Sequence, residues 1–397
     1  MKAFFPVLGV YGVLATAFLT GLGLPAPARA CGGFVCGTFA TVPPIVQDAE
    51  RIAFVDSGPD KTDVIVQVLY EGAIEDFAWV IPVPGEPEIG TSDPQLFDDL
   101  DAATAPSVFF QGPSSSGGAA CAGLGASGDS AARAGAFDPG TGVEIVGTAN
   151  VGPYETVTIT GDDPEAVIDW LVDSGYSVPD AAIPLFVRYV SEGRYFVALR
   201  LSATADLQAL EPLRLTYASD ELCIPLRLTA IATAPVLAVT AWFLTPEPVV
   251  PANFDLAELA THRLQQNPDG SANYREVARE SIEDAGGKAF LRQSSLDFAL
   301  TSTRFFSQSV RDELLALAPD GGEGYVLTRL YTDIAAEDMD EDPVFVQDPT
   351  APRAVSAQVL VPPANRTRCA AGPLLPGLGT LFPVAFALLL GARRRRE

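Results

Sequence analysis

The chain has 397 residues, with 50 acidic side chains against 25 basic ones and a formal net charge of −25. Residues 31–369 hold 49 of the acids and 19 of the bases, so this part alone carries a formal charge of −30. A field of that sign repels nucleic acid and anionic lipid, which excludes nucleic-acid partners. Residues 31–369 are enough for one large domain or two ordinary ones. No pattern in the sequence indicates a cofactor.

The first 30 residues have the pattern of a secretory signal peptide. A basic start and an apolar run over residues 4–24 lead to Ala28-Arg29-Ala30, just before Cys31. A lipoprotein signal would require Leu in place of Ala28 and a small residue in place of Arg29, so ordinary cleavage after Ala30 is favoured. We therefore expect the chain from residue 31 onward to lie outside the cytoplasm.

Four cysteines precede the C-terminal tail: Cys31, Cys36, Cys121 and Cys223. An even number of cysteines in an oxidising compartment predicts two disulfides, for which three connectivities exist. Cys31 with Cys36 is the local choice, because the two glycines between them permit a tight turn, and Cys121 with Cys223 then follows by elimination. The C-x4-C spacing argues against a redox-active pair, which typically has C-x2-C.

The pattern after the signal peptide is mainly that of strands. Alternation of apolar residues predicts strands over residues 51–55, 63–70 and 77–83, separated by glycine and proline turns. A short helix over residues 98–105 and a strand at 107–110 follow. Residues 112–140 are dominated by Gly, Ser and Ala, which predicts a flexible insertion or linker.

The middle of the chain returns to strands. We predict strands at residues 143–146, 154–160 and 195–201, and a helix that begins at Asp163-Pro164. The pentapeptide PLRLT occurs twice, at 212–216 and 225–229, and alternation predicts that the two copies pair as a hairpin. Arg214 and Arg227 on its outer face could hold an anion, although salt bridges are the simpler expectation in so acidic a chain.

Helical spacing predominates later in the chain. A strand at 237–244 precedes segments with helical spacing at 254–264, 274–284 and 309–317, and strands return at 325–331 and 355–361. Strands and helices do not alternate regularly, so we predict an α+β fold with a largely antiparallel sheet core and a helical region near residues 254–317. A β-sandwich with a helical insertion is the alternative.

The C-terminal tail has the features of a membrane anchor. Residues 372–392 are 21 residues without a charge, and a helix of about 20 residues spans the hydrocarbon core of a bilayer. Arg393 to Arg396 follow, and basic clusters mark the cytoplasmic side. The order of Cys369, apolar segment and arginines resembles the sorting tails of myxobacterial surface proteins. That resemblance implies that the helix is removed and that lipid is attached at Cys369.

The remaining candidate chemistry is sparse, and no catalytic residue is predicted. His262 is the one histidine of the sequence, so a histidine-rich zinc site is excluded, and its helical context indicates a solvent-facing side chain. A G-x-G-x-x-G match at 123–128 lies inside the Gly/Ser-rich stretch rather than between a strand and a helix. The densest acidic run offers weak calcium candidates in Asp338, Asp340 and Asp342, but prolines replace the Gly and Glu of an EF-hand loop.

Several segments together resemble the bacterial family known as domain of unknown function 2330. They are CGGF at 31–34, EDFAWVIPVP at 75–84, DAATAP at 101–106, WL at 170–171 with GY at 175–176, PLRLTAIAT at 225–233, and residues 327–345. The resemblance implies an exported protein with one continuous family domain over residues 31–368. It supplies no catalytic residues, since the family has no established activity.

These observations lead to a functional hypothesis. We expect a cell-envelope protein, anchored to a membrane by the segment at 369–397, whose acidic domain is a non-enzymatic binding or structural module with an envelope protein or cations as partners. The alternative is an extracytoplasmic hydrolase that uses carboxylates. Two close carboxyl groups with raised pKa values in a deep cleft would favour the hydrolase.

Overall fold

A computed structural model describes residues 46–71, 78–110, 142–202, 211–231 and 233–362. The strands are β1 (Val46–Asp56), β2 (Thr62–Glu71), β3 (Ala78–Val83), β4 (Pro87–Thr91), β5 (Ser107–Phe110), β6 (Glu144–Val151), β7 (Tyr154–Thr160), β8 (Tyr195–Leu201), β9 (Leu213–Tyr217), β10 (Leu222–Cys223), β11 (Thr233–Thr245), β12 (Val249–Pro251), β13 (Asp255–Ala257), β14 (Ala289–Asp297), β15 (Val326–Ala335), β16 (Val344–Gln347) and β17 (Gln358–Val361). The helices are α1 (Leu96–Thr104), α2 (Pro164–Asp173), α3 (Ile183–Ser191), α4 (Leu226–Thr229), α5 (Tyr274–Asp284), α6 (Phe298–Phe305) and α7 (Gln308–Leu317).

An eight-stranded sheet forms the centre of the molecule, in the order β13-β14-β15-β11-β1-β2-β9-β4. The pairs β1–β11 and β13–β14 are parallel and the other neighbours are antiparallel. Side chains alternate between the two faces of a strand, so Ile52 and Phe54 of β1 project to one face and Ala53 and Val55 to the other. All four are buried, which shows that both faces of the sheet are covered.

A second, four-stranded antiparallel sheet in the order β3-β8-β7-β6 stacks on the first. Its inward side chains, among them Trp79 and Leu199, share one apolar core with Phe54 and Phe243 of the large sheet. The rings of Phe54 and Phe243 stack with 5.1 Å between their centroids. Burial of these large side chains between the sheets stabilises the stacking of the two sheets.

Helices cover the outer faces of the two sheets. The large sheet packs against α1, α6 and α7 through a core that includes Phe97, Trp242 and Phe298. The small sheet packs against α2 and α3, where Phe186 lies 5.5 Å from Phe196 of β8. The result is a two-sheet sandwich with helical layers outside it. The predicted α+β class with a mostly antiparallel core is confirmed.

Two smaller sheets complete the part of the chain that is described. One has the order β10-β16-β12 and closes one end of the sandwich core through Phe345. The other is a two-stranded parallel ribbon of β5 and β17.

Two local predictions were wrong. Residues 254–264 contain strand β13 and a 3₁₀ turn at Thr261–Arg263 instead of an α-helix. Pairing with β14 overrides the helical spacing there, and the helical region near residues 254–317 is accordingly interrupted by β13 and β14. The second PLRLT copy is helix α4 and does not pair with β9, which lies between β2 and β4.

Several predictions concern residues outside the described ranges. They are the signal peptide at 1–30, the Gly/Ser-rich insertion at 112–140, the tail at 369–397, and the cysteines Cys31, Cys36, Cys121 and Cys369. Within the described ranges, each helix is too short or too polar to cross a bilayer.

Candidate functional site

A small cavity lies between the two sheets, and its lining residues include Glu50, Tyr217 and Cys223. Its volume is about 40 Å³. One water needs roughly 10–15 Å³ by this measure, whereas small-molecule sites occupy a few hundred Å³ or more. The cavity has room for a few waters and is too small for a sugar or peptide substrate.

Glu50 is the unusual residue of this cavity. A register shift in β1 between Gln47 and Ala49 brings Gln47 beside it, and Gln47 Nε2 donates to Glu50 Oε2 at 2.8 Å. Glu50 is 4% exposed, and burial raises its pKa to about 7, against a smaller lowering by the Gln47 hydrogen bond. Gln47 Oε1 is buried and has no hydrogen-bond partner. This carboxyl group is therefore poised to titrate near neutral pH.

Asp342 also lines the cavity, but its oxygens are fully engaged. It accepts a hydrogen bond from the Tyr189 hydroxyl at 2.8 Å, from the Arg227 backbone N–H at 2.9 Å and from Arg227 Nε at 2.8 Å. The Arg227 guanidinium lies 4.1 Å from the centre of the Tyr189 ring. Because Asp342 and Arg227 are both buried, each charge depends on the other for compensation.

Arg227 extends this ion pair toward the surface. Its two terminal nitrogens donate to the two carboxylate oxygens of Glu192 at 3.0 and 2.9 Å, which lowers the pKa of Glu192. Arg194 donates in the same two-pronged way to Glu221, at 2.9 and 2.6 Å. We call these residues, Tyr189, Glu192, Arg194, Glu221, Arg227 and Asp342, the Arg227 cluster. It joins α3, α4, and the chain segments before β10 and β16.

Cys223 lies next to this cluster on β10. Burial raises the pKa of its thiol, and the nearby carboxylates of Asp342 and Glu221 raise it further. A thiol with a raised pKa is a poor nucleophile and a poor metal ligand at neutral pH. Its predicted partner, Cys121, is outside the described residues, so the disulfide stays a prediction.

A second buried cluster lies on the opposite face of the large sheet, around Arg329 of β15. Arg329 donates through Nε to Gln293 at 2.6 Å and through one terminal nitrogen to Asp101 at 2.6 Å and Thr104 at 3.2 Å. Thr104 also accepts from Trp242 Nε1 at 2.8 Å. Burial lowers the pKa of Arg329, and Asp101 partly offsets that effect. We call this group the Arg329 cluster; it ties helix α1 to the sheet.

Asp333 is a second acid whose pKa is raised. Burial is the main cause, and the Tyr331 hydroxyl and the Arg275 guanidinium, 3.8 Å away, partly oppose it. Asp333 of β15 is the register partner of Ala238 of β11, on the face of the large sheet that packs on α5. Glu50 is on the other face, toward the small sheet. The sheet separates the two acids, so they cannot act together on one bond.

The calcium candidates point to three different partners. Asp342 binds Arg227, Asp340 forms an ion pair with Lys288, and the carboxylate of Asp338 lies against Gly287. Across the described ranges, no group of three or more Asp, Glu, His or Cys side chains is arranged to hold a metal ion. His262 is exposed within its 3₁₀ turn.

The two arginines of the PLRLT copies occupy different sites. Arg214 lies 3.8 Å from Glu313, and Arg227 forms the buried cluster described above. Both are thus salt-bridged, as was the simpler expectation, and they do not form a shared anion site. Sequence reasoning missed Glu50, Gln47 and Asp333. For Glu50 a signal existed, since it has the same strand parity as the inward-facing Ile52 and Phe54.

Comparison with known proteins gives a family for this chain. The model of a family described as uncharacterized protein conserved in bacteria (DUF2330) matches residues 25–346. The chain belongs to the DUF2330 family. No curated protein matches it. Among solved structures, the crystal structure of baculovirus P35 aligns with 56% of this chain and 68% of its own, at 8% identity and a TM-score of 0.28. Similarity that weak supports no argument.

Both buried clusters draw on the segments that carry the family resemblance. DAATAP contains Asp101 and Thr104, and residues 327–345 contain their partner Arg329. The second PLRLT copy contains Arg227, and its partner Asp342 lies in 327–345 as well. In this structure, these family segments meet each other in the interior rather than at an open cleft.

Proposed function

We propose that this DUF2330 protein is an exported, membrane-anchored protein of the bacterial cell envelope whose acidic domain serves as a non-enzymatic structural or binding module. The observation that carries the proposal is the arrangement of buried charge. The buried arginines Arg227 and Arg329 pair with Asp342 and Asp101 between layers of the fold. Among the described residues, the acids with raised pKa values, Glu50 and Asp333, are on opposite faces of one sheet. Such an arrangement favours a rigid scaffold over a carboxylate-based hydrolase.

Export and anchoring are supported by the two ends of the chain. The signal-peptide pattern before Cys31 directs the domain across the inner membrane, and the uncharged segment at 372–392 with its arginines provides an anchor. The anchor is either the retained terminal helix or a lipid attached at Cys369. The raised pKa of the Cys223 thiol argues against catalysis by that thiol.

Fractionation of expressing bacteria tests the anchoring. We expect the full chain in the membrane fraction, resistant to carbonate washing and accessible to protease added outside the inner membrane. Deletion of residues 370–397 should release the domain in soluble form into the extracytoplasmic fraction. Cys369→Ser is the matched control that separates lipid attachment from a retained helix, because only lipid attachment depends on the thiol. Full-length chain free in the cytosol with its leader uncut would refute the proposal.

A hydrolase screen tests the non-enzymatic part. The purified full chain and its Glu50→Gln variant are compared on panels of peptide, ester and glycoside substrates. We expect no turnover that depends on Glu50. Turnover by the natural chain that the variant loses would establish the hydrolase instead.

A further inference from the structure

The ribbon of β5 and β17 presents an exposed apolar pair. The two strands are parallel, and Phe109 of β5 is the direct register partner of Leu360 of β17. Directly paired residues project to the same face of a sheet, with side chains about 5 Å apart. Phe109 is 48% exposed and Leu360 is 58% exposed, so the pair forms one apolar patch on the solvent side of the ribbon.

The opposite face of the ribbon explains why this patch faces outward. Val108, Phe110, Val359 and Val361 are half-buried, so theirs is the face of the ribbon that is partly covered. The outward face carries Ser107 and Gln358 besides the apolar pair. The ribbon has apolar residues on both faces, and the face with Phe109 and Leu360 stays exposed to solvent.

The position of β17 in the chain places this patch close to the proposed anchor in sequence. β17 is the last described strand, and the chain continues from it to Cys369 and the uncharged segment. Cys369 lies nine positions after Leu360, and residue 372 lies twelve positions after it. At about 3.3–3.6 Å per residue, the patch lies within roughly 30–40 Å of the anchor even for a fully extended connection.

We infer that Phe109 and Leu360 insert into the headgroup and acyl-chain boundary of the membrane that holds the tail. This inference rests on the proposed anchoring and adds the face by which the domain docks on the bilayer. Tethering raises the effective concentration of the domain at the surface, so a small patch is sufficient for contact. Aromatic and leucine side chains are typical of interfacial insertion.

A second copy of the chain fits the patch less well. Stable dimers bury about 800 Å² on each partner, far more than two side chains provide. Two domains with a formal charge of −30 each also repel one another. A zwitterionic lipid surface carries no net charge, so it lacks both this repulsion and the repulsion that the acidic domain has toward anionic lipid.

Tryptophan fluorescence in vesicles tests the inference. The full chain is reconstituted in phosphatidylcholine vesicles with brominated acyl chains, which quench nearby indoles. Phe109→Trp and Leu360→Trp place separate probes in the patch, and Val172→Trp is the matched control, since Val172 is 50% exposed on α2 over the other sheet. The unsubstituted chain supplies the background from its own tryptophans.

We expect both patch probes to lose emission to the bromolipid and to shift to the blue, while the Val172 probe does neither. Quenching no stronger than that of the control, in chain that floats with the vesicles, overturns the docking alone. Chain that fails to float refutes the anchoring and the docking together. A blue shift that grows with protein density without quenching assigns the patch to a second copy and also overturns the inference.

Discussion

Replacing Glu50 with glutamine should stabilise the protein at neutral and alkaline pH. In the folded chain the carboxyl group is buried, and burial holds its pKa at about 7 against an ordinary value of 4.5. The glutamine side chain is nearly the same size and never ionises. It can still accept from Gln47 Nε2, and its own amide can donate to Gln47 Oε1, which has no hydrogen-bond partner in the natural chain.

The magnitude and the pH window follow from linkage. Below pH 4.5 the Glu50 carboxyl is protonated in both the folded and the unfolded chain, so its ionisation does not lower the free energy of unfolding. Between pH 4.5 and about 7 the unfolded chain ionises more readily than the folded one, so stability falls as pH rises. Each tenfold change in proton affinity is about 1.4 kcal/mol, so the full loss above pH 7 is about 3 kcal/mol. Glu50→Gln should recover that amount at pH 8 and nearly nothing at pH 4.

Urea unfolding at pH 4 and pH 8 measures this difference. Glu88→Gln is the matched control, because Glu88 lies in strand β4 of the same sheet with an exposed side chain. We expect the control to change the free energy of unfolding by the same small amount at both pH values. Equal stabilisation by Glu50→Gln at pH 4 and pH 8, or none at either, would show that the carboxyl does not titrate as its burial implies.

Two further substitutions test the buried clusters by urea unfolding. Arg227→Met should lower the free energy of unfolding by about 3–5 kcal/mol, because it leaves the buried Asp342 carboxylate without its cation. The control Arg188→Ala removes an ion pair with Glu192 in which the arginine is 55% exposed, and it should cost less than about 1 kcal/mol. Equal effects of the two substitutions would contradict the assigned role of the cluster. Thr104→Val should cost about 1–3 kcal/mol, because it removes the acceptor of Trp242 Nε1, and an unchanged midpoint would show that this bond contributes nothing.

Where local pattern and tertiary environment agree, the sequence alone predicts the elements closely. Strand β8 and helix α5 have the predicted bounds, Tyr195–Leu201 and Tyr274–Asp284. The two PLRLT copies show where this stops. The first is a strand with Leu213 and Leu215 buried, but the second is a helix because Asp342, 115 residues later, binds the Arg227 backbone N–H. Five identical residues cannot encode that difference locally.

The candidate site was less predictable than the fold for a related reason. Parity along β1 indicates that Glu50 projects to the same face as Ile52, but not that this face is covered. The cover is the small sheet, whose strands β3 and β8 lie 30 to 150 residues further along the chain. A raised pKa depends on that long-range stacking, so no window of sequence around Glu50 contains it.

The two clusters limit which parts of the surface a partner could contact. In each cluster, a buried arginine meets an acid distant in sequence. Removal of either acid would leave an arginine charge uncompensated inside, and removal of Arg227 would do the same to Asp342. Three of the segments that resemble the family, at 101–106, 225–233 and 327–345, thus help to hold the layers of the fold together. Residues engaged in this way cannot also bind a ligand without breaking the assembly. A partner must therefore contact surface that the clusters leave free, and the exposed pair Phe109 and Leu360 of the β5–β17 ribbon is such a surface.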